Sequence, residues 1–311
     1  MSLSIIIPHY NNSERLEILL MSIPQNKKIQ VIIIDDQSDL HHLKKIDLLQ
    51  VKYTFEYYQN KKAKSAGSCR NIGLKKATGD WLLFADSDDY FIESFYDVVS
   101  KYFDSKNDVV FFKPTSIDIN TRKTSDRHLY LLPLIDNYLA SKEKDNEMNL
   151  RYKFHAPWSK IIKKKLIDNY KITFDEIIFG NDVMFSTKIG HFLKICDASC
   201  ETIYCVTKRD KSLTSDISEN AFDSRLDVFF QYYKFLKKKL NQKQLELINP
   251  ISIGRYYIII SLKRFGFKKF LKVNHMFKKE NIRWFSIFSF IYKILQFFYY
   301  QLRKSIKYLK S

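Results

Sequence analysis

The sequence predicts an α/β fold built on a parallel, doubly wound sheet, followed by a helical extension rich in basic and aromatic residues. Three observations carry that reading. Short apolar runs, Leu3–Ile7 (broken only by Ser4), Val31–Ile34 and Trp81–Ala85, have the composition of strands covered on both faces. Segments with apolar residues at helical spacing separate them, and strands alternating with helices imply parallel neighbours. From Glu219 the composition shifts and helical patterns dominate. The expected organisation is therefore an α/β domain over residues 1–218 and a helical C-terminal region over residues 219–311.

The elements follow in order. Leu3–Ile7 is the first strand, and Pro8 is expected to end it, since proline donates nothing to a central ladder. His9-Tyr10-Asn11-Asn12 then forms a loop, and Ser13 caps a helix with Leu16, Leu19, Leu20 and Ile23 inward. Val31–Ile34 ends in Asp35-Asp36-Gln37-Ser38, and Tyr53–Tyr57 reads as a third strand. Ser65 or Ser68 is placed to cap the next helix, where Gly67 would let backbone approach a ligand closely. Arg70, Leu74 and Ala77 recur at helical spacing, and Gly79-Asp80 turns the chain into the strand Trp81–Ala85.

That strand ends in Asp86-Ser87-Asp88-Asp89, at the edge where open α/β sheets place ligands. With a side-chain period of two, Asp86 and Asp88 project to the same side. Two hard oxygen donors there suit Mg2+ or Mn2+, which share their shell with substrate phosphates. The plainer alternative is a solvated acidic turn. The apolar strand that aims the motif and the Gly/Arg-bearing helix before it weigh against that alternative.

Bulk properties narrow the class. The chain has 311 residues, 45% apolar and 28% charged, enough for one good-sized core and an appendage. Its net charge of +18 is uneven: from Lys263 onward there are thirteen Lys or Arg and one acidic residue, Glu280. An acidic partner for that tail would be anionic lipid or nucleic acid. Cys69, Cys196, Cys200 and Cys205 lack zinc-finger spacing and read as reduced core residues. The N-terminal apolar run has no basic stretch before it and reads as a strand instead of a signal peptide. Trp284–Tyr292 and Ile294–Leu302 are interrupted by Lys293, and each is shorter than the roughly 20 residues of a spanning helix.

Four segments then align with a known pattern: Ile5-Ile6-Ile7-Pro8-His9-Tyr10-Asn11, Ile32-Ile33-Ile34-Asp35-Asp36-Gln37-Ser38, Gly67-Ser68-Cys69-Arg70-Asn71-Ile72-Gly73-Leu74 and Phe84-Ala85-Asp86-Ser87-Asp88-Asp89. In this order and spacing the chain resembles family-2 glycosyltransferases of the GT-A fold, of the type that builds bacterial surface polysaccharides. The resemblance implies a nucleotide-sugar site. Pro8, Tyr10 and Asn11 would line the nucleoside pocket, and Asp36 would accept a hydrogen bond from the uracil edge. Arg70 would reach the base or the diphosphate, Asp86 the ribose and the metal, and Asp88 would be the principal metal ligand. A strand-ending turn is the alternative role for Asp35 and Asp36.

Beyond the acidic motif, Glu93–Phe103 reads as a helix and Val109–Lys113 as a strand, whereas 115–151 is poorly patterned apart from a short helix at Asp136–Lys142. In His155-Ala156-Pro157-Trp158-Ser159-Lys160 the Trp and Lys resemble the family segment that shapes the acceptor side. Trp158 would offer a flat platform to a sugar ring, core packing being the alternative, and His155 reads as structural before it reads as a base. Phe179-Gly180-Asn181-Asp182 starts a helix, with Asp182 at the position of the family's catalytic base and Asn181 where the family usually has Glu. A purely capping Asp182 is the alternative. Backbone N–H groups at the helix start would hold the carboxylate, and it would take the acceptor's proton. After the strand Ile203–Val206, the basic loop Lys208–Thr214 resembles one that folds over the donor diphosphate, with Arg209 as the contact; a solvated basic loop is the alternative.

In the tail, Trp284, Ile287, Ile291, Leu295, Phe298 and Leu302 lie on one helical stripe with Lys293, Arg303 and Lys307 opposite. Such a helix suits the lipid interface, and packing on its own domain or on a partner subunit is the alternative. The expectation is an inverting glycosyltransferase using Mn2+ or Mg2+. It would move a sugar from a UDP-linked donor to a hydroxyl of a lipid-linked glycan in capsule, O-antigen or lipooligosaccharide synthesis. It would be cytoplasmic and peripheral on the inner face of the cell membrane, touching its anionic surface. A sugar-nucleotide nucleotidyltransferase would need a Gly-rich, Lys- or Arg-bearing loop after Ile7, which is lacking. A nucleic-acid binder would not need the four ordered motifs, so no nucleic-acid partner is expected.

Overall fold

The computed structural model describes residues 1–62, 64–209 and 216–282. The elements are β1 (Leu3–His9), α1 (Ser13–Met21), β2 (Ile29–Asp35), α2 (Leu40–Lys52), β3 (Glu56–Gln59), α3 (Ala66–Lys76), β4 (Trp81–Phe84), β5 (Tyr90–Phe91) and α4 (Phe95–Ser100). They continue with β6 (Val109–Asp118), α5 (Leu132–Ala140), α6 (Lys144–Lys153), β7 (Lys160–Lys163), α7 (Lys164–Tyr170), α8 (Val183–Phe192), β8 (Cys196–Lys208), α9 (Glu219–Lys239), α10 (Gln242–Ile248) and α11 (Pro250–Lys279). The chain forms two compact units that divide between Ile248 and Asn249, so α9, which starts at the compositional shift, belongs to the first. The stripe from Trp284 onward and the loop beyond Arg209 to Ser215 lie outside the described residues.

One eight-stranded sheet runs in the order β3-β2-β1-β4-β7-β6-β8-β5. The first four strands are parallel, with Ile5 level with Val31 on one side and Leu83 on the other. The remainder is mixed: β7 runs antiparallel between β4 and β6, and β5 antiparallel to β8. The all-parallel expectation therefore holds for the first half only. β7 follows a long excursion through α5 and α6, and its pairing is a long-range choice without a local signature.

Within the parallel half, the chain moves outward from β1 to β3 and returns through α3 to β4, on the other side of β1. The strand order thus reverses between β1 and β4, and the crevice outside their carboxyl ends is where such sheets bind ligands. Leu82, Leu83 and Phe84 are fully buried, as the apolar run required.

Several local expectations shift. β1 continues through Pro8 to His9. Its pairing with β4 stops at Ile6, so Pro8 sits where one side of the strand is unpaired and no N–H is needed there. Tyr53 ends α2, and the third strand starts later, at Glu56. Ser65 caps α3, accepting from the Ser68 N–H at 3.0 Å. The close approach at Gly67 is to protein: a Cβ there would lie 2.1 Å from the Asp175 carbonyl oxygen. β6 runs on to Asp118, and the poorly patterned segment holds two helices, α5 and α6. Cys69, Cys196 and Cys205 are buried free thiols as expected, whereas Cys200 is exposed.

Candidate active site

Three consecutive residues of α3 tie the crevice together. Asn60, just after β3, donates to Asp36 at 2.7 Å and to Ser68 Oγ at 2.9 Å. Cys69 lies against Asp36, and burial with that carboxylate pushes its thiol pKa well up. Arg70, 5% exposed, donates through Nη1 to Asn181 Oδ1 (2.7 Å) and through Nη2 to Asp86 Oδ1 (2.6 Å), with its guanidinium over the Phe174 ring. The carboxyl ends of β2 and β4 and the start of α8 are thereby joined through one turn of helix. Arg70, expected to reach the base or the diphosphate, is here a buried strut between two elements.

The β1–α1 and β2–α2 loops are fastened to each other. Asp35 is fully buried, and although burial opposes it, hydrogen bonds from His9 (2.9 Å) and the Ser38 N–H (2.9 Å) hold its carboxyl below the usual range. Asn11 exchanges a reciprocal pair of bonds with Asp39, at 2.8 and 2.7 Å, so its amide organises the loop. Tyr10, beyond half-buried Pro8, is 49% exposed, with the Lys64 ammonium 4.5 Å from its ring centroid. The ring thus stands at the surface with a cation over one face.

The acidic turn is held from below by β8. Tyr204 accepts from the Asp86 N–H (2.8 Å) and donates to Asp89 Oδ2 (2.9 Å), while the Thr207 N–H donates to Asp89 Oδ1 (2.7 Å). Asp89 is buried and structural, and its pKa is pushed far up by burial and by the Asp88 and Asp86 charges. Asp88, half-buried, pairs with Arg209, yet burial and Asp86 still raise its pKa. Asp86 is paired with Arg70 and Asp88 with Arg209, and their hard carboxylate oxygens are a donor set that fits a divalent cation. Among the described residues no set of three or more His, Cys, Asp or Glu makes a self-contained metal cage. Such an ion would have to complete its shell with phosphate oxygens and water.

On the other flank Asp182 occupies the N-cap of α8 but makes no side-chain capping bond. It is therefore not a capping residue, and the backbone N–H that helps hold its carboxylate is its own and not one farther into the helix. Burial raises its pKa; Arg70 and Lys160 work against that, and Asp86 adds to it. Lys160, expected on the acceptor side, is 1% exposed. Its ammonium donates to the Phe154 carbonyl (3.1 Å) and to Ser186 Oγ (3.0 Å), one turn into α8. Burial lowers its pKa to about 7. His155 donates from Nε2 to the Tyr152 carbonyl (2.9 Å), and burial beside Lys160 lowers its pKa to about 4, leaving a neutral structural imidazole. Trp158 is 8% exposed and stacks on Tyr204, ring centroids 5.4 Å apart. One face of the proposed sugar platform is thus covered by protein.

Sequence reasoning missed Asn60, Tyr204 and Thr207. Asn60 follows a strand whose position had shifted, and a polar residue just past that strand's end was the available signal. Tyr204 and Thr207 act through pairings more than 110 positions away in the chain, for which no local pattern exists.

The glycosyl transferase family 2 model matches residues 4–171. The chain is 27% identical over 233 residues to a cholesterol galactosyltransferase of Borreliella burgdorferi, covering 69% of this chain and 62% of that protein. It is 32% identical over 95 residues to the poly(ribitol-phosphate) beta-N-acetylglucosaminyltransferase TarS of Staphylococcus aureus, covering 29% of this chain and 17% of TarS. An uncharacterized glycosyltransferase of Haemophilus influenzae is 37% identical over 94 residues, 29% of this chain and 30% of that protein. These matches span less than two thirds of each relative's length. The fold matches the crystal structure of TarS 1–349 with UDP-GlcNAc at a TM-score of 0.67, 21% identity, covering 88% of this chain and 79% of that one. A Pyrobaculum calidifontis mannosyltransferase, solved with GDP-Man and Mn2+, matches at 0.56 with 12% identity, over 89% of this chain and 75% of that one. With a family model covering residues 4–171 and the fold of TarS, which is GT-A, this chain belongs to glycosyl transferase family 2.

Proposed function

We propose that this protein is an inverting, metal-dependent glycosyltransferase that moves a sugar from a UDP-linked donor to a hydroxyl of a lipid-linked glycan. The observation that supports it is the Arg70 bridge, which joins the Asp86 turn to Asn181, next to Asp182. The relatives support the substrate classes: TarS was solved with UDP-GlcNAc and is named for a polymer acceptor, and the Borreliella protein for a lipid one. Capsule, O-antigen or lipooligosaccharide synthesis at the cytoplasmic face of the membrane is the setting this reading implies. No described helix is long and apolar enough to cross a membrane.

Tyr10 offers its face to the nucleobase, and Asp36, oriented by Asn60, accepts from the base N–H. Asp88 and Asp86 would hold Mn2+ or Mg2+, which supplies Lewis-acid neutralisation of the diphosphate when bound. Arg209, paired with Asp88 in this state, is placed to turn its guanidinium to the phosphate oxygens. The acceptor hydroxyl oxygen then bonds to the anomeric carbon as the bond from that carbon to the diphosphate oxygen breaks. Asp182 takes the hydroxyl proton, and the diphosphate leaves with the electron pair. Attack opposite the leaving group inverts the anomeric centre.

The test is a screen of UDP-sugars for metal-dependent protection from heat and for slow hydrolysis, with Asp88→Ala alongside. Wild-type protein should respond to at least one donor only with the metal, and Asp88→Ala should lose that response. An Asp88→Ala protein that binds UDP with unchanged metal dependence would refute the metal role.

A further inference from the structure

α11, in the unit that begins at Asn249, has a charge pattern unlike the rest of the chain. Its thirty residues include eight Lys or Arg and no acidic residue. Gly266, at φ 82, breaks it into two arms. One side, with Gly254, Ile258, Ser261, Val273 and Phe277, is buried. The side away from it should be polar in a helix whose outer surface meets only water. Instead Ile253, Tyr256, Ile259 and Leu262 are 39 to 60% exposed before the bend, and Phe267 and Leu271 are 64% and 49% exposed after it. Exposed Lys263, Arg264, Lys268 and Lys272 stand among and beyond them.

We propose that this outer side of α11 is a membrane-binding surface that lies in the interface of an anionic bilayer. Aliphatic and aromatic side chains would enter the boundary between headgroups and acyl chains, and the lysines and arginines would meet lipid phosphates. The chemistry selects this occupant. A second copy of the helix would set cations against cations with no carboxylate to relieve them. A nucleic acid would call for cations spaced along a backbone, whereas on the arm before the bend exposed Arg255, Lys263 and Arg264 are interleaved with exposed Ile253, Tyr256, Ile259 and Leu262. The purpose of the surface, holding the enzyme where lipid-linked acceptors are, rests on the glycosyltransferase reading; the surface itself does not.

The experiment uses the full chain, sedimented with phosphatidylcholine vesicles with and without phosphatidylglycerol, at low and high salt. Binding to the anionic vesicles should exceed binding to the neutral ones by at least about tenfold and should weaken with salt. Ile253→Ser, Ile259→Ser and Leu262→Ser combined should reduce it about tenfold or more. A separate set, Lys263→Ser, Lys268→Ser and Lys272→Ser, should reduce it about fivefold per residue. UDP-dependent thermal protection, unchanged in both sets, reports that the catalytic unit is folded. Should the apolar set misfold, the lysine set decides. Absence of vesicle binding, or binding that both sets leave unchanged, overturns the proposal. So does a solution dimer that the apolar set converts to monomer, or retention of RNA in place of vesicles. Vesicle binding without any UDP affinity would sink the glycosyltransferase reading and leave the surface standing.

Discussion

The parallel half of the sheet, β3-β2-β1-β4, presents its carboxylates at strand ends, while the mixed half, β7-β6-β8-β5, works by burying polar groups beneath and beside them. In the first half Asp36 and Asp86 follow directly from apolar runs that any reader of the sequence can mark. In the second, Tyr204, Lys160 and Trp158 are almost wholly buried and act by holding something else. One flank sets its carboxylates at strand ends, whereas the other, which also carries Asp182 and Arg209, is chiefly a buried framework. Arg70 joins the flanks, and each can be broken separately.

The sharpest break is Asp182→Asn. Transfer should fall about 10²- to 10⁴-fold, the usual worth of a general base, while UDP binding by calorimetry stays intact. Turnover that survives would remove Asp182 from the chemistry. The same residue sets a pH limb. Its carboxyl must be ionised to take a proton, and burial raises its pKa. Activity should therefore decline, as pH is lowered, at a pH above the ordinary carboxylate value of about 3.9. A limb at or below that value would show that some other group is titrating.

Next in size is Arg70→Lys, which keeps the charge but loses the rigid fork that spans Asn181 and Asp86. A loss of about 10²-fold in kcat, larger than the change in donor affinity, is expected if the fork aligns the two flanks. An effect confined to KM would make it a donor contact only.

Tyr204→Phe tests the framework. Removing the hydroxyl leaves the Asp86 N–H and the Asp89 carboxyl each short of a partner, at a cost of about 1–3 kcal/mol in chemical denaturation. Donor affinity should weaken as well, because the acidic turn loosens. The smallest effect belongs to Asn60→Ala, which frees the Asp36 carboxylate. UDP affinity should drop about fivefold, the worth of one hydrogen bond near 1 kcal/mol, and stability should fall by about 1–3 kcal/mol because buried Asn60 also donates to Ser68. Unaltered UDP affinity would detach Asp36 from the base.

Much of the parallel half was legible because its signals are local. Val31–Ile34 and Trp81–Ala85 announce buried strands by composition, and Ser65 announces a helix start by a hydrogen bond three residues long. Pro8 misled because its meaning depends on the neighbour β1 has at that point, and that neighbour, β4, stops at Ile6. Gly67 misled in the same way: a close approach was foreseen, but its partner is the Asp175 carbonyl, more than a hundred residues on. For Trp158 a sugar platform and core packing both stood open, and Lys160 was placed on the acceptor side, since whether such a side chain faces a ligand or a core depends on what packs over it.

Local pattern, then, was enough for β1, β2, β4 and the helices between them, for carboxylates at the ends of β2 and β4, and for positive charge gathered toward the C-terminus. These follow from periodicity, composition and charge, each read within a few residues. Tertiary structure alone decided that β7 would slip antiparallel between β4 and β6, that Arg70 would span from Asp86 to Asn181, and that Tyr204 would underpin the acidic turn. Those contacts join residues scattered along the chain, and their free energy comes from burial and hydrogen bonding that exist only once the whole sheet has closed around them.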